Sequence, residues 1–187
     1  MRKLVLAMFL SLDGYVEGPN REFVPPAWSD DVARHWSGEN LEMAGLLVYG
    51  RANYEFNKDF WLGEAADPSS PMRASAERIN ALPKIVLSST LERAEWNARP
   101  VGGDVAAEMN RLKAEPGKDL VCFGGAGAAG TLMRLGLVDR YRLMVTPLLL
   151  GGGTPLFPEG LARQALTLRS AATLDTGAVI LDYERLV

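Results

Sequence analysis

The chain has 187 residues, 48% of them hydrophobic and 23% charged, with a net charge of −3, a balance that suits one domain (1–187) with a substantial core. No Lys/Arg cluster occurs, which argues against nucleic acid or an anionic membrane as a partner, because phosphate backbones are held by clustered cations. Cys122 is the single cysteine; it excludes an internal disulfide and a multi-cysteine metal site, and its apolar surroundings suit a buried thiol in a reducing, cytoplasmic compartment.

Lys3 to Ser11 is apolar at nearly every position, the pattern of a central strand covered on both faces. Its basic start superficially suggests a secretion signal, but the run from Leu4 to Leu12 is short and no small-residue cleavage site follows before Asp13 and Gly14. No apolar run approaches membrane-spanning length. Gly14, Gly18, Pro19 and Asn20 carry the chain into an irregular loop. Ser29 is a candidate N-cap for a helix from Asp30, which Gly38 weakens.

A second buried strand, LLVYG (46–50), runs into a helix opening with RANYEFNKDFW and expected to break near Gly63. A short helix at 72–82 precedes a strand at 83–90 that ends in hydroxyl residues, and AEWNARPV reads as a short edge strand. DVAAEMNRLKAE is an amphipathic helix between Asp104 and Pro116-Gly117. A strand at 120–123, a helix at 126–136 and a long strand over 142–150 follow, then a triple-glycine turn. The C-terminal segment reads as two strands joined around Asp175-Thr176-Gly177. Strands alternate with helices to about residue 140 and then run without them. That order implies an α/β fold: a mostly parallel sheet flanked by helices, with antiparallel C-terminal strands.

Gly125, Gly127 and Gly130 spell G-x-G-x-x-G after a strand, the dinucleotide fingerprint of Rossmann folds. A Rossmann site expects it on the first strand, with an acid at the end of the next. Here it follows the last βα crossover, and the strand after it carries no acid. The Rossmann reading therefore fails. What survives is a turn whose glycines let an anion approach the main chain at a helix N-terminus; a turn needed only for close packing is the other reading.

Two more strand ends carry anion-compatible groups. Arg51 stands in a helix's first turn, against the dipole preference for acids there, a placement that makes sense if it meets a phosphate. Ser88, Ser89 and Thr90 close the 83–90 strand. Ligands of parallel sheets lie outside the carboxyl ends of strands, so these groups match one elongated ligand with phosphates at two places.

The succession SLDGYVEGPN, GRANYE, VLSST, FGGAGAAGTLM and LGLVDRYRLMVTPLLLGGGTPLF resembles the dihydrofolate reductase-like superfamily, and within it the branch holding the reductase domain of riboflavin biosynthesis. The resemblance implies a mixed eight-stranded sheet, a homodimer, and NADPH as hydride donor to a pterin-like or aminouracil-like small molecule. It assigns cofactor phosphate to Gly50, Arg51 and Asn53, where the family usually has Thr in place of Asn53. It assigns the adenosine 2′-phosphate to Ser88 and Ser89, and the diphosphate to Gly124, Gly125, Ala126, Gly127 and Ala128. For the substrate side it points to Asp13, beside the nicotinamide loop, and to the Asp30, Asp31 and His35 region, with Asp31 as the candidate carboxylate. Trp28 and Tyr15 are candidates to stack on a flat ring or to pack in the core. The zinc deaminase motifs that accompany this reductase in bifunctional enzymes do not occur here, so a stand-alone reductase is expected. A catalytically inactive NADP-binding protein and a flavin-dependent enzyme are the alternatives.

Overall fold

The structure is a computed structural model that describes residues 1–186; Val187, the end of the last expected strand, lies outside the described residues. At its centre β1 (Leu4–Ser11) is paired on both sides with parallel neighbours, β6 (Asp119–Cys122) and β7 (Arg140–Thr146). Outward from β6 run β3 (Ala44–Gly50), β4 (Lys84–Leu87) and β5 (Ala98–Val101), all parallel. Beyond β7 come β10 (Val179–Arg185) and then β9 (Leu166–Thr173), both in antiparallel pairs. The order β5-β4-β3-β6-β1-β7-β10-β9 makes the expected mixed, mostly parallel eight-stranded sheet.

The continuous apolar run of β1 is explained by cover on both faces. Leu4, Leu6, Met8 and Leu10 enter one core layer with Leu46, Val48, Leu120 and Cys122. It is closed by Met109 and Leu112 of α5 (Val105–Ala114) and by Ala129, Leu132 and Met133 of α6 (Ala126–Arg134). Val5 and Ala7 enter the opposite layer with Leu47, Tyr49 and Val121. Its cover comes from α1 (Asp30–Val32), α2 (Glu39–Met43), α3 (Arg51–Ala66) and α4 (Arg73–Ala81). Complete burial of one leucine side chain stabilises by roughly 1.5–3 kcal/mol, so both layers resist a one-residue slip of β1, which would exchange them.

Several boundaries differ from the sequence expectation. The helix at Asp30 is capped by Ser29, whose Oγ accepts from Val32 N–H at 3.1 Å. Gly38 does not break it; the chain widens into a π-helical stretch, Ala33–Gly38, before α2. There the carbonyl of His35 accepts from Nη2 of Arg142 at 2.6 Å. Arg142 is buried in β7 and also donates to Glu39 (2.5 Å) and to the fully buried Asp182 (3.0 Å). Helix α3 continues through Gly63 to Ala66; one glycine costs about 1 kcal/mol in a helix, less than the packing against α4 returns. Strand β4 stops at Leu87, because the Ser88 hydroxyl accepts from the N–H groups of Thr90 and Leu91 and turns the chain. Strand β7 stops at Thr146 rather than at Leu150, because Pro147 has no N–H for a ladder paired on both sides. A two-residue strand, β8 (Thr154–Pro155), pairs with β2 (Tyr15–Glu17), a ribbon too short for a pattern to announce.

Cys122 is fully buried, and desolvation pushes its thiol up to about 12. The unfolded chain therefore ionises this group first, and one such proton changes stability by about 1.4 kcal/mol per pH unit. Its contribution is constant below pH 9 and becomes unfavourable between the ordinary value of 9.0 and about 12. Urea melts across that range should show Cys122→Ala losing this part of the alkaline decline, at a cost of about 1 kcal/mol at neutral pH. A thiol reagent should label the native protein only as it unfolds.

Candidate functional site

Three strand ends, those of β3, β4 and β6, meet at the carboxyl edge of the sheet. Strand β3 passes into α3 with no intervening loop, leaving Gly50 as an extended N-cap without a capping side chain. Its N–H donates to the Gly124 carbonyl at 3.0 Å. A Cβ at Gly50 would lie 3.1 Å from that of Ala128, so a side chain there would push against the first turn of α6. Gly124 has φ +99°, and a Cβ on it would meet Met8 Sδ at 2.7 Å and Asn53 Nδ2 at 2.9 Å. Glycine is needed there for conformation and for space alike. The Gly124–Gly125 peptide is cis.

Gly125 is the extended N-cap of α6 and, like Gly50, brings no capping side chain. Neither α3 nor α6 has an acid in its first turn. Two positive helix ends therefore lie side by side without acidic compensation. Gly127 differs from Gly50 and Gly124: a Cβ there would meet nothing within 4 Å. Close packing thus explains the glycines at 50 and 124 and leaves the one at 127, which is exposed in the first turn of α6.

Arg51 extends this region towards β4. Its exposed guanidinium donates from Nη1 to Thr90 Oγ1 at 3.0 Å and from Nε to Glu55 at 2.9 Å. Ser88, half-buried, uses its oxygen in the local turn, while Ser89 and Thr90 are exposed. A Cβ at Gly102 would come within 3.1 Å of the Ser88 carbonyl, which places the end of β5 against the same turn. From there an open cavity of about 400 Å³ runs along β5 and α5, lined by Val101, Gly102, Asp104 and the Arg99–Glu108–Arg111 cluster. The Arg111 hydrogen bond, reinforced by Arg99, brings the Glu108 carboxyl down to about 2.

The structure thus brings Gly50, Arg51, Asn53, the Ser88–Thr90 turn and Gly124–Ala128 into one contiguous region. Asn53 lies in it with its amide already engaged, Nδ2 donating to the Phe123 carbonyl at 2.8 Å.

The two candidate carboxylates stand apart from each other. Asp13 accepts from Ser11 Oγ (2.6 Å), Gly151 N–H (2.7 Å) and Leu150 N–H (3.1 Å), fastening the end of β1 to the glycine-rich loop. These bonds, the Ser11 hydroxyl first, hold its carboxyl below the usual range. The loop it fastens lies close on β2, for a Cβ at Gly153 would fall 2.0 Å from the Glu17 carbonyl oxygen. Asp31, in the first turn of α1, accepts from Asp175 N–H at 3.1 Å and lies 3.4 Å from His35 Nε2. The other imidazole nitrogen of His35 meets Glu39 at 2.8 Å.

Aromatic residues that the sequence did not single out line this side. Phe9 of β1 packs 4.8 Å from Trp36 and 6.3 Å from Phe23, and Phe23 lies 6.4 Å from Phe56 of α3 (ring centroids). Phe23 and Phe56 are both exposed. The available signal was an apolar Phe23-Val24 pair directly after the polar run Asn20-Arg21-Glu22. Tyr15 borders the same small cavity as Phe9 and Phe23, whereas Trp28 packs against the core. Among the described residues no helix is long and apolar enough to cross a membrane, and no group of three or more His, Cys, Asp or Glu is placed to hold a metal.

Comparison with known proteins agrees with this architecture. An uncharacterized protein of Bacillus subtilis (strain 168), YyaP, is 30% identical over 97% of this chain and 94% of its own length. A putative riboflavin biosynthesis protein from Shewanella sp. PV-4 superposes with a TM-score of 0.76 at 22% identity, covering 99% of both chains. Dihydrofolate reductase from Enterococcus faecalis, solved with NADP(H) and RAB-propyl, gives 0.65 at 14% identity over 99% of this chain and 97% of that one. Acinetobacter baumannii RibD gives 0.68 at 18% identity; all of this chain matches 59% of that protein's length. These structural likenesses fix the fold, and the model of the RibD C-terminal domain matches residues 2–180. By that match over nearly its whole length, the chain belongs to the RibD C-terminal domain family.

Proposed function

We propose that this protein is an NADPH-dependent reductase that passes hydride to a small, flat, nitrogen-rich heterocycle of the pterin or aminouracil type, the latter resembling 5-amino-6-ribosylaminouracil phosphate. The observation that carries the reading is the joining of three strand ends: Gly50 bonds to Gly124, and Arg51 bonds to Thr90. One elongated ligand with phosphates at two places fits that arrangement. The backbone of Gly124–Ala128 faces the diphosphate, with Gly50 keeping the first turn of α6 accessible. Arg51, Ser88 and Ser89 face the 2′-phosphate, where a planar guanidinium and hydroxyl donors suit a dianion.

When bound, the nicotinamide supplies the hydride, and the chain supplies orientation and a proton. Asp13 stays ionised under its three hydrogen bonds, so its part is to hold the glycine-rich loop against β1. Asp31 is the carboxylate assigned to support protonation of the substrate, steadied by the Asp175 N–H and by His35. Phe9, Phe23 and Phe56 offer an apolar wall suited to a planar ring. Strand β9 is exposed along its whole length, with Leu166 and Leu168 open to solvent; a second copy of the chain is the cover we assign to it.

Titration should give NADPH a lower Kd than NADH. Arg51→Ala and Ser89→Ala should each weaken NADPH by roughly tenfold, the loss of one charge-assisted contact, and leave NADH unchanged. Equal affinity for the two nucleotides in the wild type would remove the case for a 2′-phosphate site. Asp31→Asn should lower kcat by about a hundredfold and keep the NADPH Kd; tight binding with no turnover in the wild type would instead mark a nucleotide-binding protein. Light scattering at micromolar concentration should return a dimer mass that Leu168→Arg halves, and a wild-type monomer would refute the β9 interface.

A further inference from the structure

We infer that Asn53, Asn57 and Trp61, spaced four residues apart on one face of α3, form a hydrogen-bonded relay that positions the Gly124–Gly125 turn. Asn53 then serves the site as a positioning residue and not as a ligand. For its effect on nucleotide affinity the inference rests on the reading of that turn as a diphosphate cradle.

The direction of every bond in the relay is fixed by its two ends. Trp61 Nε1 meets Asn57 Oδ1 at 2.9 Å, and an indole N–H can only donate. With its oxygen committed there, Asn57 turns Nδ2 towards Asn53, where it meets the backbone carbonyl at 2.8 Å and the side-chain Oδ1. With that oxygen committed in turn, Asn53 presents Nδ2 to the carbonyl of Phe123 at 2.8 Å. A peptide carbonyl can only accept. Reversing either amide would set oxygen against oxygen at one junction and leave a donor unmatched at another. The indole, two turns or about 12 Å along the helix axis, thus dictates which atom of Asn53 faces the turn.

The target of the relay is the peptide that enters the glycine turn. Phe123 directly precedes Gly124, and Asn53 Nδ2 packs where a Cβ on Gly124 would stand, 2.9 Å from that position. The Gly124 carbonyl is held separately by the Gly50 N–H. The opening of α3 therefore grips the turn twice, once through the backbone of residue 50 and once through the side chain of residue 53. Asparagine, unlike the threonine the family resemblance leads one to expect, has separate donor and acceptor ends. It can hold Phe123 with one end while Asn57 holds the other.

The test uses the full chain without nucleotide. The amides of Gly50 and Ala129 donate to the carbonyls of Gly124 and Gly125, so their hydrogen exchange reports the turn. Asn53→Ala and Asn57→Leu should each speed exchange at both amides by about fivefold to tenfold, the range for one lost hydrogen bond. Trp61→Phe, which keeps a ring and deletes only the N–H, should give about twofold, and the Leu143 amide in β7 should not respond in any variant. The double variant Asn53→Ala/Asn57→Leu should exchange no faster than Asn53→Ala alone, because Asn57 acts through Asn53. NADPH affinity should fall in step with the exchange rates. Unchanged exchange at Gly50 in Asn57→Leu, or additive effects in the double variant, would overturn the relay. Exchange that responds as stated in a protein whose wild type ignores NADPH would uphold the relay and sink only the nucleotide reading.

Discussion

The hydrogen bond between the Gly50 N–H and the Gly124 carbonyl joins the two halves of the site through backbone alone, with glycine forced at 124 by conformation and space and a tight approach to Ala128 at 50. Strands β3 and β6 are parallel neighbours, but the helices that leave them cover opposite faces of the sheet: Tyr54 of α3 belongs to one core layer, and Ala129 and Leu132 of α6 to the other. Only at the strand ends do these helices begin side by side. Two like partial charges so placed repel each other, and an anion between them turns that opposition into attraction. The shape of the region follows from a backbone contact next to which a methyl group at residue 124 would collide with Met8 and Asn53 and one at residue 50 would press on Ala128.

The carboxylate side is built differently. Its polar groups already have partners within the chain, from Asp13 on the glycine-rich loop to Asp31 on the β9–β10 turn. What is left uncommitted there is mostly aromatic surface. On the function proposed above, anion-compatible groups at one end and apolar, shape-dependent contacts at the other would separate the recognition of a common cofactor from that of a particular substrate.

Much of the region where the strand ends meet was legible in the chain. Gly124, Arg51 and Ser88 each sit where a strand pattern gives way, and parallel strands send such ends to one edge. The continuous apolar run of β1 announced its central place. What escaped notice depends on partners distant in sequence. Nothing near Asp13 reveals that Leu150 and Gly151 supply its hydrogen bonds, 137 and 138 residues away. The four-residue spacing of Asn53, Asn57 and Trp61 is visible, but its purpose is not, because Phe123 lies 70 residues beyond Asn53. Boundaries failed where a local event outweighed pattern: Pro147 cut β7 short, and the Ser88 hydroxyl ended β4. Gly63 misled in the opposite sense, since packing against α4 carries the helix past it.

Arg142 divides the cleft into a part that is tethered and a part that is free to diverge. Its guanidinium, sunk in the sheet, ties the His35 carbonyl and Glu39 to Asp182, so the Asp30–Met43 helix cannot slide or tilt without stranding a buried charge. Among the described residues, no buried ion pair of this kind holds the loop carrying Phe23 or the exposed flank of α3 carrying Phe56. On the function proposed above, exchange of those aromatics among descendants of this chain would change which ring fits, while the histidine-bearing helix keeps its seat.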